Sequence, residues 1–192
     1  MDNTKEKIIT VATRIFSRFG FYKTSMDEIA RTAHKAKGSL YYHFASKEDL
    51  FKEVVAQELK NLKTELAMVV TDPAFNPEEK IKQYLLTRMS VLNKAANYHE
   101  VLKADFMEHF EFVDQLRADM DVWEKEQLKS IVKQGIELGV FADQTDKMEV
   151  LLDVFIMVLK GLEIPFFLQG KYDALSPHFD DLIRILIKGI SV

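Results

Sequence analysis

The chain has 192 residues, 47% of them hydrophobic and 29% charged, enough to bury one sizeable core or two smaller ones. It contains no cysteine, which excludes disulfides, thiolate nucleophiles and cysteine-based zinc sites and fits a reducing, cytoplasmic setting. The net charge of −4 is unevenly spread: residues 1–50 hold nine Lys/Arg against six Asp/Glu, the remainder seventeen against twenty-four, as expected for a basic nucleic-acid reader on an acidic body.

Four prolines and seven glycines are too few for many short strands, and no stretch has the alternation of one, so an all-α fold of about nine helices is expected. In the first helix Ile8, Ile9, Ala12, Ile15, Phe16 and Phe19 recur at helical spacing, and Gly20 is a natural stop. A second helix starts after Ser25, which has capping-box spacing to Glu28, and turns Met26, Ile29, Ala30 and Ala33 inward. His34 to Ala36 is a break of turn length. Lys37 to Phe44 forms a short third helix with Leu40 and Phe44 inward, and Ser46 caps a long fourth helix with a stripe from Phe51 to Val69.

Asp72 to Pro77 reads as a loop, because proline disfavours helix in the residue before it. Five further helices are expected near 77–94, 98–110, 112–138, 146–168 and 177–190. The apolar run Val150 to Leu159 is interrupted by Asp153 and is half the roughly twenty residues a membrane span needs, so no membrane association is expected. Residues 146–168 leave little polar face, so this helix must be covered on both sides. Either it is the centre of a monomeric bundle or its second cover is a partner chain; Ile183, Leu186, Ile187 and Ile190 add another apolar face nearby in sequence.

The pair of short helices around a three-residue turn is a helix-turn-helix, whose second helix fits the major groove of DNA. That helix offers Lys37, Ser39, Tyr42 and His43 outward and no carboxylate of its own, which suits a polyanion. Phe19-Gly20, Thr24, Ile29-Ala30, Ala33, the run Lys37-Gly38-Ser39-Leu40-Tyr41-Tyr42-His43-Phe44 and Lys47 together resemble the DNA-binding domain of the tetracycline-repressor (TetR) family, over about 47 residues. The turn departs from that family's pattern: where a glycine, an apolar residue and a serine are usual, this chain has His34, Lys35 and Ala36. His34 must then adopt the glycine's conformation, and Ala36 cannot cap the third helix.

The resemblance implies a three-helix DNA-binding domain at 1–47 and a larger helical effector-binding and dimerisation domain at 48–192. It implies a homodimer formed through 146–168 and 177–190 on a palindromic double-stranded operator. Lys37, Ser39 and Tyr42 are then candidates for base edges, and Thr24, Ser25, Tyr41, His43 and Lys47 for phosphates. Phe106, Phe110, Trp123, Phe155 and Phe166 are candidates to line a pocket for an unknown small-molecule effector. No metal or cofactor is expected: His109 follows Asp105 by one helical turn, but no third ligand accompanies them.

The function expected is a ligand-responsive repressor. A DNA-binding structural or nucleoid-associated protein without an inducer shares the N-terminal motif but needs no cavity. An all-α enzyme or ligand carrier has little support: His99-Glu100 lacks the zinc-protease spacing, and no glycine loop for phosphate is present.

Overall fold

The computed structural model describes residues 3–103 and 111–192, and among them every regular element is a helix. Helix α1 spans Asn3–Phe19, α2 Met26–Thr32, α3 Lys37–His43, α4 Lys47–Thr71, α5 Pro77–Lys94 and α6 Ala96–Val101. After the undescribed stretch come α7 (Glu111–Glu137), α8 (Met148–Glu163), a π-helical turn at Ile164–Leu168, a one-turn helix α9 (Tyr172–Leu175), a 3₁₀ turn at Ser176–His178 and α10 (Phe179–Lys188). No described helix is long and apolar enough to cross a membrane.

The chain divides into two compact units, Met1–Asn61 with Ala95–Phe112, and Leu62–Lys94 with Val113–Val192. The first has an aromatic centre: the Phe51 ring lies 5.0 Å from both Phe16 and Phe21, and Ile8, Ala12, Ile29, Leu40 and Val54 close around it. Ser25 caps α2 as its spacing implies, accepting the Glu28 amide at 3.2 Å, and Ser46 likewise accepts the Asp49 amide at 3.0 Å before α4. Gly20 ends α1 at φ 79 with its amide on the Phe16 carbonyl. Phe19 differs from expectation. It sits on the exposed side of α1 with the Arg18 guanidinium over its ring, while Val11 is buried.

Helix α6 is tied to this first unit by a half-buried carboxylate. Glu58 of α4 accepts the Asn97 amide at 3.4 Å, the Asn97 side chain at 2.7 Å and the Tyr98 amide at 2.8 Å, so it satisfies the free N–H groups at the start of α6. Asn97 also donates to the Thr13 carbonyl of α1. Burial pushes the Glu58 carboxyl above its ordinary range, and these donors pull it back in part.

The second unit is built around α5, α7, α8 and α10. Leu85, Leu92, Leu128, Ile131, Leu152, Ile156, Leu159 and Ile183 form its core. Gly135 is required by packing: a β-carbon there would lie 2.0 Å from the Phe141 ring, which folds back after α7. The expected helix at 112–138 is observed at 111–137, and that at 77–94 as expected. The expected helix at 98–110 is seen only as α6, its remainder lying outside the described residues. The expected 146–168 helix leaves α geometry at Ile164, where Pro165 lacks the amide that would continue the ladder.

Candidate functional site

Helix α3 is seven residues long with only Leu40 fully buried, so it is anchored along one side and open along the other. Its position depends on the turn before it. His34 has φ 53, the only positive φ outside glycine among the described residues. The His34 amide reaches the Arg31 carbonyl at 3.1 Å and the Lys35 amide the Ala30 carbonyl at 3.0 Å, which closes the end of α2 and redirects the chain into α3. Lys35 snorkels, half-buried, with its ammonium on the Thr4 hydroxyl at 3.2 Å. Ala36 stands at the N-cap of α3 with no side-chain hydrogen bond.

The candidate DNA contacts fall into two groups. Tyr42 is 85% exposed, with the His43 ring packed edge-on at 5.1 Å; Tyr41 is exposed and Ser39 and His43 half-buried. Lys37 is exposed but not free. Its ammonium is 2.8 Å from the Asp27 carboxylate of α2 and 5.9 Å from the Tyr41 ring, and the Asp27 bond holds it above its ordinary range and therefore charged. The carboxylate-free character of this face thus belongs to α3 alone, since α2 supplies Asp27 beside it. Ser25 is exposed, and its hydroxyl oxygen accepts the Glu28 amide as the cap of α2.

The second group is turned inward. Thr24 is 3% exposed and its hydroxyl donates to the Gly20 carbonyl at 2.8 Å. Lys47 is half-buried; its ammonium donates to the carbonyls of Phe21 at 3.0 Å and Thr24 at 3.1 Å and lies 4.2 Å from the centre of the Phe21 ring. Both therefore tie down the loop between α1 and α2. Sequence reasoning had no signal for this, because a lysine after a helix cap reads equally as an anion contact.

In the second unit a cavity of about 250 Å³ lies among α5, α7, α8 and α10, with Leu85, Leu128, Val132, Phe141, Phe155 and Ile187 in its wall. Gln144 is the polar side chain among its lining residues. Of the candidate effector residues, Phe155 lines this cavity. Phe166 is instead buried in an aromatic group with Phe167, Tyr172 and Phe179, 5.2 Å from the Phe179 ring, and Trp123 is half-buried with the Lys63 ammonium 5.6 Å from its ring. Phe106 and Phe110, with Asp105 and His109, lie outside the described residues.

Two apolar surfaces on this unit remain open. Helix α8 buries Leu152, Ile156 and Leu159 but exposes Val150, Val154, Met157 (71% exposed) and Val158. Helix α10 buries Phe179 and Ile183 and exposes Leu182, Ile185 (68% exposed) and Leu186. Exposed apolar side chains repeated along two helices mark an interaction surface.

A helix-turn-helix with a donor-bearing, largely uncovered second helix, carried by an all-helical chain, defines a DNA-binding regulator. Residues 8–54 match the family model for bacterial regulatory proteins of the tetR family. An HTH-type transcriptional regulator of Bacillus subtilis, YhgD, itself uncharacterized, is 25% identical over 189 residues, covering 97% of this chain and 96% of that one. The crystal structure of a transcriptional regulator from Cytophaga hutchinsonii superposes with a TM-score of 0.84 over all of both chains at 22% identity. That of Bacillus subtilis FadR in complex with stearoyl-CoA does so at 0.74, covering 96% of this chain and 98% of that one at 17% identity. Over residues 8–54 the chain thus resembles the TetR family of transcriptional regulators, and its fold as a whole is that of the regulators it superposes on.

Proposed function

We propose that the chain acts as a homodimeric repressor, not as an enzyme, released from a palindromic operator by a small apolar effector. The observation that carries this reading is the surface of α3, where Lys37, Tyr41 and Tyr42 stand outward around a single buried leucine. Lys37, Ser39 and Tyr42 read base edges, and Ser25, Tyr41 and His43 hold phosphates. Thr24 and Lys47 position the reading head (residues 1–47) through the carbonyls of Gly20, Phe21 and Thr24. The open faces of α8 and α10 join two chains, which sets two heads on half-sites roughly 34–36 Å apart or a multiple of that.

The cavity in the second unit favours an effector-responsive regulator over an architectural DNA-binding protein with a filled core. The stearoyl-CoA bound by FadR supports an apolar effector body. An effector that binds better to the form with mismatched heads weakens DNA binding by linkage. The test is fluorescence anisotropy of labelled DNA from upstream of the chain's own gene, with a scrambled duplex as control, at two salt concentrations. Selective binding that weakens steeply with salt is expected. Absence of binding to either duplex at low salt would overturn the reading.

A further inference from the structure

We propose, on the DNA-reading role assigned to α3, that Gly38 is itself part of the reading surface: its missing side chain lets the first turn of α3 come closer to base edges in the major groove than any residue with a β-carbon would allow.

The seven glycines of the chain sort by what each one provides. Gly20, Gly139 and Gly170 have φ of 79, 68 and 66, a conformation that strains other residues. A β-carbon on Gly135 would collide with the Phe141 ring, and one on Gly189 would press on the Leu186 carbonyl oxygen at 3.3 Å. Those five have a reason inside the fold. Gly38 and Gly161 have none among the described residues. Both lie within helices and are exposed, and a β-carbon on either would meet nothing within 4 Å beyond its chain neighbours and its own helix backbone. Glycine in a helix is nonetheless unfavourable, because more conformational freedom is lost on ordering it than on ordering alanine. Each of the two lies on a surface that the proposed function gives to another molecule. Gly161 follows Val158 by three residues and Met157 by four on the open face of α8. Gly38 is in the reading helix.

Gly38 is the second residue of α3, and Tyr41 and Tyr42 follow it by three and four positions. Residues at those spacings are neighbours on one helix face, so the bare backbone lies one turn from the exposed Tyr42 ring. The residues on either side do not crowd it. The Lys37 ammonium is engaged with Asp27 of α2, 2.8 Å and 3.1 Å from its two carboxylate oxygens, and Ser39 is half-buried.

A recognition helix meets base edges with its N-terminal residues. A β-carbon at Gly38 would hold that turn off by about 1.5 Å, the length of one carbon–carbon bond. Hydrogen bonds to bases, roughly 2.7–3.2 Å long, do not survive such a displacement. Ser39, next to Gly38 and with a short side chain, would lose its reach first. Non-specific binding does not feel this limit, because it is carried by phosphates at the rim of the groove.

The experiment compares full-length wild type with Gly38→Ala. Each is melted, and each is titrated by fluorescence anisotropy with two duplexes: the one that the wild type enriches most from a random-sequence pool, and a scrambled copy of it. Gly38→Ala is expected to melt about 1–4 °C higher, since alanine is the better helix former and its β-carbon meets open space. It is expected to bind the selected duplex roughly tenfold or more weakly, and the scrambled duplex within about threefold of the wild type. A protein that gains stability while losing sequence preference has lost a contact between molecules, not one within the chain. The proposal is overturned if Gly38→Ala keeps the wild-type affinity for the selected duplex. It is overturned by a lower melting temperature, which would give Gly38 a reason inside the fold, and by equal losses on both duplexes, which would move its role to the phosphates. A wild type that enriches no sequence overturns the DNA-reading role of α3 and this inference with it; a selective wild type beside an equally selective Gly38→Ala loses the inference alone.

Discussion

Replacing His34 by glycine is expected to stabilise the protein. The two bonds that close α2, from the amides of His34 and Lys35 to the carbonyls of Arg31 and Ala30, require the left-handed backbone seen at φ 53. An L residue is disfavoured there by about 1–2 kcal/mol. Glycine removes that strain but makes the unfolded chain more flexible, which gives back about 0.5–1 kcal/mol. The imidazole is exposed and makes no hydrogen bond to the described residues, so little else is lost. The net gain is about 0.5–1 kcal/mol, or a melting temperature higher by about 1–4 °C for a chain of this size. Urea unfolding at one fixed protomer concentration measures it, because the proposed dimer would make stability depend on concentration. His34→Ala is the control, since it removes the imidazole but keeps the β-carbon. The reasoning is refuted if alanine stabilises as much as glycine, for then the side chain and not the backbone carried the cost.

Four further outcomes are expected. Lys47→Met should lower stability in urea by about 1–3 kcal/mol by removing the ammonium from the Thr24 carbonyl and from the Phe21 carbonyl, which keeps only the Thr24 amide; a purely phosphate-contacting lysine would leave stability intact and reduce the salt slope of DNA binding by about one. Arg88→Met leaves Glu124 and Glu163 buried without their shared cation and should cost about 3–5 kcal/mol, most of it recovered when both acids are also changed to glutamine. Met157→Glu with Ile185→Glu places charge on both open apolar faces and should convert a dimer into a folded monomer by light scattering; a surviving dimer would place the interface elsewhere. Glu58 has a folded-state carboxyl above its ordinary 4.5, so the folded protein holds its proton more tightly than the unfolded chain. Stability should then fall as pH rises from about 4.5 through the raised value, whereas Glu58→Gln removes that slope; a wild-type slope of opposite sign in urea titrations would contradict the burial argument.

Much of the reading head was legible in order along the chain because its signals are local. A serine cap acts on an amide three residues away, as Ser25 and Ser46 do, whereas the left-handed turn at His34 was implied by the resemblance, which places a glycine there. Phe19 misled because helical spacing alone does not say how wide the buried stripe is. The inward ammonium of Lys47, the Asp27 beside Lys37 and the docking of α6 on Glu58 all join residues ten or more apart. No periodicity encodes such pairs.

The same division separates the two candidate sites. Helix content, the helix-turn-helix, its caps and the uncovered tyrosines of α3 depend on residues within a few positions of one another, so the sequence by itself determined them. The sequence also required a second cover for 146–168, and one face of α8 stands exposed among the described residues. Only the tertiary structure decided which aromatics line a cavity and which fill the core, with Phe155 on one side and Phe166 on the other. It alone brought Arg88, Glu124 and Glu163 into one buried cluster from positions up to 75 apart. The physical reason is range: caps and turns are closed by neighbouring backbone groups, whereas burial of a charge is settled by whatever distant side chain arrives to meet it.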